Sequence, residues 1–244
     1  MSRYFRYSSL LAVWVLAACF GPGLRAQGAM AEFKRTTDHY KSLAGFSVKV
    51  SADFYTSETS PSPAQKLAGS VEIQGRLSHS VFDGKETLIG TDFVLVADHA
   101  NRALYYAPRA KEAKGAVSPG TEILDSAFTR RYTVTEQAVD DVHTRYLLVP
   151  KKQGTEFSSI SVTINRRERI LKEIVYRYTG TVKYEKVVIR YSAFDGAWNP
   201  GKTFFTEARF ISGRQKSARL QPAYSSYHLT NSFNYDPKKN LIDL

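Results

Sequence analysis

The stretch ISVTINRRERILKEIVYRY, from Ile160 to Tyr178, carries the pattern on which the fold depends. Its first half alternates apolar with polar side chains, and a charged run at 165–169 follows. Its second half again places large apolar side chains two residues apart, at Ile174, Tyr176 and the final tyrosine. Because successive side chains of a strand point to opposite faces, the stretch predicts two antiparallel strands joined by a turn.

The same spacing recurs through most of the chain. Strands are predicted at Phe46 to Phe54, at Val71 to Val81, in a hairpin over 93–107, and in further segments from Arg131 onward, of which 202–211 is one. Val71, Ile73, Leu77 and Val81 are expected on one apolar face, with the other face toward water. About ten or eleven consecutive antiparallel strands predict a mainly β protein whose curved sheet closes as a barrel or stays open.

Helical periodicity is confined to two places. One amphipathic helix is predicted from Ala31 to Leu43, because Phe33 and Tyr40 lie near one face and Gly45 ends the pattern. A shorter helix is predicted at Thr121 to Phe128, after a glycine- and proline-containing segment. These two segments are the expected cover, or plug, of the apolar face.

The N-terminus has the pattern of an export signal. Arg3 and Arg6 precede an apolar run from Leu10 to Ala18, which ends at a helix-breaking Gly-Pro-Gly. No other stretch approaches the roughly 20 apolar residues of a membrane-spanning helix. The mature protein is therefore expected in the periplasm of a Gram-negative-type envelope, with peripheral or no membrane association.

Two processing schemes fit this segment. Cleavage after Ala26 makes 1–26 a signal peptide and leaves 27–244 as a single β domain. Alternatively, Leu-Ala-Ala ahead of Cys19 is a lipobox, in which case 1–18 is a lipoprotein signal and a lipidated Cys19 anchors an outer-membrane lipoprotein. The chain has one cysteine, so an intramolecular disulfide is excluded.

Composition limits the class of partner. The chain has 244 residues and a formal net charge of +11, but its basic residues are dispersed. Export makes nucleic acid an improbable partner, which leaves a solvated basic surface or a preference for anionic headgroups and acidic partners. A monomer is expected.

The residues give no catalytic signature. The five histidines stand at no recognised metal or triad spacing, and nucleophile-elbow, P-loop and zinc-protease motifs are missing from the sequence. His79 shares a strand face with Val81 and is expected to point inward. The sequence therefore predicts a protein that is not an enzyme and that uses no cofactor and no metal.

Three segments carry a family resemblance: LAGFSVKVSADF at 43–54, GSVEIQGRLSHSVFDGKETL at 69–88, and FVLVADHANRALYYAP at 93–108. With the helix before them and the 160–178 hairpin after them, they resemble the LolA-like superfamily of periplasmic lipoprotein carriers over roughly residues 31–235. The family's Arg-Pro pair after the second strand has no counterpart here, although Arg76 lies nearby. The resemblance implies an unclosed β-barrel, or half-barrel, around a helical plug, with an interior that holds acyl chains.

The expected ligands are lipid or lipoprotein acyl chains, with an envelope protein as a possible partner. Strand parity predicts the hydrophobic lining, and Arg76 is the predicted headgroup contact. The predicted lining residues are Val48, Val50, Val71, Ile73, Val162, Ile164, Ile174 and Tyr176. Two other hypotheses stay open: an interaction module with a fully packed core, and an envelope hydrolase.

Overall fold

The computed structural model describes residues 22–110, 120–180 and 182–234. The predicted lipidation site Cys19, and the predicted signal apart from its last few residues, lie outside them. The helices of the described part are α1 (Pro22–Ser42) and α2 (Ser126–Thr129). Its strands are β1 (Phe46–Tyr55), β2 (Gln65–Gln74), β3 (Leu77–Phe82), β4 (Lys85–Ile89), β5 (Phe93–Asp98), β6 (Ala103–Pro108), β7 (Tyr132–Ala138), β8 (His143–Pro150), β9 (Phe157–Asn165), β10 (Ile170–Tyr178), β11 (Lys186–Asp195), β12 (Ile211–Ser212), β13 (Arg219–Leu220) and β14 (His228–Asn231).

Among the described residues, twelve strands form one sheet in the order β14-β6-β5-β4-β3-β2-β1-β11-β10-β9-β8-β7. This sheet is antiparallel, apart from β14, which runs parallel to β6, and it is not closed. β12 and β13 form a separate pair. The predicted fold class, a mainly β protein with an open antiparallel sheet and an N-terminal helix, is confirmed.

Helix α1 begins nine residues before its predicted start. Pro22 is its first residue, a position where proline has a suitable φ and loses no intrahelical hydrogen bond. The Gly-Pro-Gly segment, interpreted as a helix breaker, therefore contains the start of this helix. The predicted end at Leu43 is one residue beyond the observed end at Ser42.

The described part of the chain divides into two compact units, the first formed by residues 22–39 together with 120–180 and 182–186. In this unit β7–β10 form consecutive antiparallel pairs, with Val162 opposite both Tyr146 and Ile174. Phe33 of α1 lies on this face, with its ring 5.0 Å from that of Tyr146 and nearly perpendicular to it. The segment predicted as a helix at 121–128 forms a 3-10 turn (Thr121–Leu124) and α2, and it buries Ile123 and Leu124.

The second unit contains residues 40–119 and 187–244, and its sheet has two apolar faces. We call face A the side of β1 and β2 that bears Phe46, Val48 and Val71, all of which are buried. Face B is the opposite side, where buried residues of β4–β6 form a core with the C-terminal segment. This core comprises Leu88, Phe93, Leu95, Ala97, Leu104, Tyr106, Phe205, Phe210 and Ile211.

The two apolar faces correct the expectation of one apolar and one wet face. A two-residue turn joins β2 to β3, so Val71 pairs with Ser80 and Gln74 pairs with Leu77. Directly paired residues share a face, which places Leu77 and Val81 on face B, away from Val71. On face A, odd-numbered residues of β2 are therefore followed by even-numbered residues of β3. Counting every second residue through the turn assigns Leu77 and Val81 to the wrong face.

The predicted strand at 202–211 is also wrong. The residues form two 3-10 turns, Lys202–Phe205 and Glu207–Arg209, and only Ile211 begins a strand. Phe205 and Phe210 are buried in the core on face B, and a turn conformation brings these rings onto the same sheet surface. Tertiary packing of aromatic residues thus overrides their β propensity.

Candidate ligand-binding site

Four of the predicted lining residues lie together on face A of the second unit. Val48 pairs with Val71, Val50 pairs with Gly69, and Ile73 pairs with Phe46. The four predicted side chains are 3–5% exposed. The register therefore brings them into one buried aliphatic patch.

Face A continues beyond this patch onto strands that the sequence prediction did not include. The register runs from Val71 through Ser80 and Thr87 to Val96 and Tyr105. Val96 is half-buried and Tyr105 is 51% exposed. The neighbouring row, which begins at Ile73, ends in half-buried aliphatic side chains, namely Ile89, Val94 and Ala107.

The sequence contains a feature from which this extension of face A could have been predicted. Across the turns at 75–76 and 83–84, two-residue loops fix which residues pair, so the face can be followed from strand to strand. The buried patch and the partly exposed apolar side chains beyond it thus lie on the same face, with Ser78, Ser80 and Thr87 between them.

The other four predicted lining residues lie in the first unit, on the face that bears Phe33. Val162, Ile164 and Ile174 have no measurable exposure, and Tyr176 is half-buried. Burial raises the pKa of the Tyr176 hydroxyl, and the Glu122 carboxylate adds to the rise. These residues are covered in this structure.

Arg76, the predicted headgroup contact, is exposed in the turn between β2 and β3. Its carbonyl oxygen accepts a hydrogen bond of 2.8 Å from Nη1 of Arg109. The same guanidinium nitrogen donates to the carbonyl of Gly90, also at 2.8 Å. Arg109 therefore links the β2–β3 turn to the end of β4.

A cavity of about 690 Å³ lies in the second unit, on the side of face B. It contains none of the eight predicted lining residues and not Arg76, although the neighbours of Arg76 on both sides contribute to its wall. Its lining residues are Ala44, Gln74, Gly75, Leu77, Thr91, Asp92, Phe93, Phe205, Thr206, Glu207 and Arg214.

His79 is the centre of a buried charge cluster on face B. Its Nδ1 lies 2.9 Å from Oε2 of Glu72, and its Nε2 lies 2.6 Å from Oε1 of Glu86. Burial disfavours the imidazolium, but hydrogen bonds to the two carboxylates outweigh that effect and raise the pKa of His79 to about 9. His79 therefore points inward, as predicted, and donates to both glutamates at neutral pH.

The C-terminal segment contributes to the same cluster. Arg209 Nη1 lies 3.1 Å from Oε1 of Glu86. His99 lies with Nε2 3.4 Å from the other oxygen of Glu86 and with Nδ1 2.9 Å from the hydroxyl of Tyr227. Burial opposes ionisation of Glu86, yet the His79 hydrogen bond and the Arg209 charge lower its pKa. Two cations thus balance the carboxylates of Glu72 and Glu86, as in a structural ion-pair network.

Two further observations concern the described residues. No group of three or more histidine, cysteine, aspartate or glutamate side chains there could hold a metal ion. Within the same ranges, no helix combines the length and apolar character that a bilayer crossing requires.

Fold and surface together define a mainly β protein with an open antiparallel sheet, an N-terminal helix and partly exposed apolar side chains on one sheet face. No protein-family model and no curated protein matches the sequence. The structure is distantly similar to a LolA superfamily protein from Nitrosomonas europaea, with 12% identity, 73% of this chain and 97% of that chain covered, and a TM-score of 0.36.

Two further similarities are at the same level. The lipoprotein LppX of Mycobacterium tuberculosis has 11% identity, with 71% of this chain and 98% of that chain covered and a TM-score of 0.38. A chain of the MucA/MucB complex of Pseudomonas aeruginosa has 9% identity, with 80% and 63% covered and a TM-score of 0.41. The predicted LolA-like resemblance is confirmed as a distant similarity of fold.

Proposed function

We propose that this protein is an exported envelope protein that binds a hydrophobic ligand, a lipid or the acyl chains of a lipoprotein, without catalysing a reaction. The observation that carries the proposal is the extent of face A. On this face the buried patch around Val48 and Val71 is followed by the small polar side chains of Ser80 and Thr87, and then by the partly exposed side chains of Val96 and Tyr105. An acyl chain on this surface removes apolar area from water on both partners.

The free energy of such binding comes from the burial of acyl methylene groups. Each methylene group transferred from water contributes roughly 0.8 kcal/mol, so the roughly ten or more methylenes of a long acyl chain supply about 8 kcal/mol or more, from which the cost of association is subtracted. Arg76 is the proposed headgroup contact at the edge of the same unit. In the first unit, Val162, Ile164, Ile174 and Tyr176 are the proposed lining of a ligand that displaces Phe33 and its helix.

The test of this site is Val96→Asp. A carboxylate at this half-buried position must be desolvated under an acyl chain, so we expect the affinity for a fluorescent long-chain fatty acid to fall about tenfold or more. Val149→Asp is the matched control, because Val149 is 43% exposed on β8 in the first unit. Equal affinity of the folded Val96 variant and the control would refute the proposed surface.

One observation favours a second candidate, a packed interaction module. All four predicted lining residues on face A are nearly inaccessible, as a fully packed core would require. Native mass spectrometry of the protein purified from its envelope separates the candidates, because a lipid carrier retains lipid and a packed module does not.

We further propose that the chain is processed between Ala26 and Gln27 and travels free of the membrane. The intact mass of the mature protein should correspond to a start at Gln27. A mass that corresponds to an acylated Cys19 would instead identify a tethered lipoprotein.

A further inference from the structure

The cavity on face B has an apolar base. Phe93 and Phe205 are 4% and 3% exposed, and Leu77 and Ala44 contribute aliphatic groups beside them. Its volume of about 690 Å³ falls within the roughly 300–1,000 Å³ typical of small-molecule sites. It lies on the opposite side of the sheet from face A, so it is independent of the proposed lipid surface.

The polar groups of this cavity include an acceptor without a donor. Gln74 donates from Nε2 to Oδ1 of Asn199 at 2.9 Å. Its Oε1 is buried, and within the described residues it has no hydrogen-bond partner. Because water does not reach this oxygen, a ligand in the cavity does not reach it either, and Gln74 contributes to the wall of the cavity.

Two carboxylates line the same cavity. Glu207 is buried, and its ion pair is with Nε of Arg214 at 3.5 Å. Because the Arg214 side chain is 83% exposed, water screens this pair and it neutralises Glu207 poorly. The second carboxylate belongs to Asp92, an exposed residue at the rim.

Both carboxylates also act on Tyr106. Burial raises the pKa of the Tyr106 hydroxyl, a hydrogen bond from the Gln215 N–H lowers it, and the charges of Glu207 and Asp92, opposed by Arg214, raise it further. The cavity thus combines aromatic rings with acceptors, a combination that suits a cation, since ammonium groups bind both carboxylates and aromatic faces.

We propose that this cavity binds the ammonium group of an amine-bearing amphiphile. The ammonium donates to the carboxylates of Glu207 and Asp92, and the attached apolar chain packs on Phe93 and Phe205. The whole chain has a formal net charge of +11, which by itself favours anionic ligands over cationic ones. A preference for a cation therefore has to arise locally.

The experiment compares dodecylammonium with dodecanoate by isothermal titration calorimetry, below the concentration at which either aggregates and in the Val96→Asp background, so that fatty-acid binding on face A does not contribute. We expect dodecylammonium to bind at least tenfold more tightly, and Glu207→Gln to abolish most of this preference. Asp83→Asn is the matched control, because it removes one negative charge from an exposed turn of the same unit and should leave both affinities unchanged.

A second variant keeps the test decisive if Glu207→Gln does not fold. Arg214→Ala removes an exposed side chain and frees Glu207, so dodecylammonium affinity should increase severalfold. A soluble short-chain phosphatidylethanolamine then distinguishes a lipid headgroup from a free amine as the source of the ammonium. The proposal is overturned if dodecanoate binds as tightly as dodecylammonium, or if neither Glu207→Gln nor Arg214→Ala changes the preference.

Discussion

Replacing His79 with leucine should lower the free energy of unfolding by about 3–5 kcal/mol at pH 7, the range expected when one partner of a buried ion pair is removed. The side chain of His79 is 8% exposed and lies between Glu72 and Glu86, whose side chains are 15% and 9% exposed. Leucine fills a similar volume but leaves Glu72 without a counterion among the described residues, whereas Glu86 keeps Arg209 and His99. The loss therefore comes from uncompensated buried charge.

The pH dependence of this loss has a definite sign. The pKa of His79 is raised from its ordinary 6.5 to about 9, so its contribution is fully present below pH 6.5 and declines as the pH rises through 9. The difference in stability between wild type and His79→Leu should therefore be larger at pH 6 than at pH 10. Urea unfolding at both pH values measures this difference directly.

The control for His79 is His228→Leu, the same substitution at an exposed position of β14. It should change stability by no more than about 0.5 kcal/mol. If the His79 variant lost as much stability at pH 10 as at pH 6, the cluster would not depend on the imidazolium.

The charge cluster around His79 could be predicted from the sequence only in part. Two-residue turns at 75–76 and 83–84 place Glu72 opposite His79, and Glu86 opposite Val81, one pair along the strand. Both carboxylates could thus be predicted from turn length and strand register. Arg209 and Tyr227 could not, because they come from a distant segment whose path is decided by tertiary packing.

The fold, too, could be predicted from the sequence only in part. The hairpin of β9 and β10 follows from the alternation in β9 and the turn after it, but the pairing of Val162 with Ile174 depends on a register shift between Leu171 and Glu173 that the alternation does not predict. The C-terminal segment does not follow, since the alternation through Phe204 and Phe205 equally suits a strand or a turn that covers an apolar face. The choice between strand and turn depends on whether the sheet has a second apolar face. That face becomes evident only when the turn after Gln74 is used to assign the residues of β3 to a face.

The second large effect is expected at Phe33, which is 1% exposed and stacks edge-on against the equally buried Tyr146. Phe33→Ala should lower the free energy of unfolding by about 3–5 kcal/mol, as is typical of a deleted aromatic side chain in a core. Thermal or urea unfolding of the variant measures this loss. Phe33→Leu, which keeps most of the volume, should lose clearly less.

Lys34→Ala is the positional control, because this next residue has a 76% exposed side chain and an ion pair on the helix surface with Asp38. Its loss should stay below about 1 kcal/mol. A cost at Phe33 no larger than at Lys34 would mean that the helix does not pack on this face.

The Phe33 contact also bears on ligand binding in the first unit. In the proposed binding mode the acyl chain reaches the buried Val162 and Ile174 by displacing Phe33 from Tyr146, so the stability of the Phe33–Tyr146 contact opposes binding. A folded Phe33→Ala protein should therefore bind the fluorescent fatty acid more tightly than wild type, although it is less stable. Since deletion of a core ring also leaves an apolar cavity that by itself takes up apolar ligands, Phe33→Leu is the control: it leaves little cavity but weakens the contact with Tyr146, and it should also bind the fatty acid more tightly than wild type.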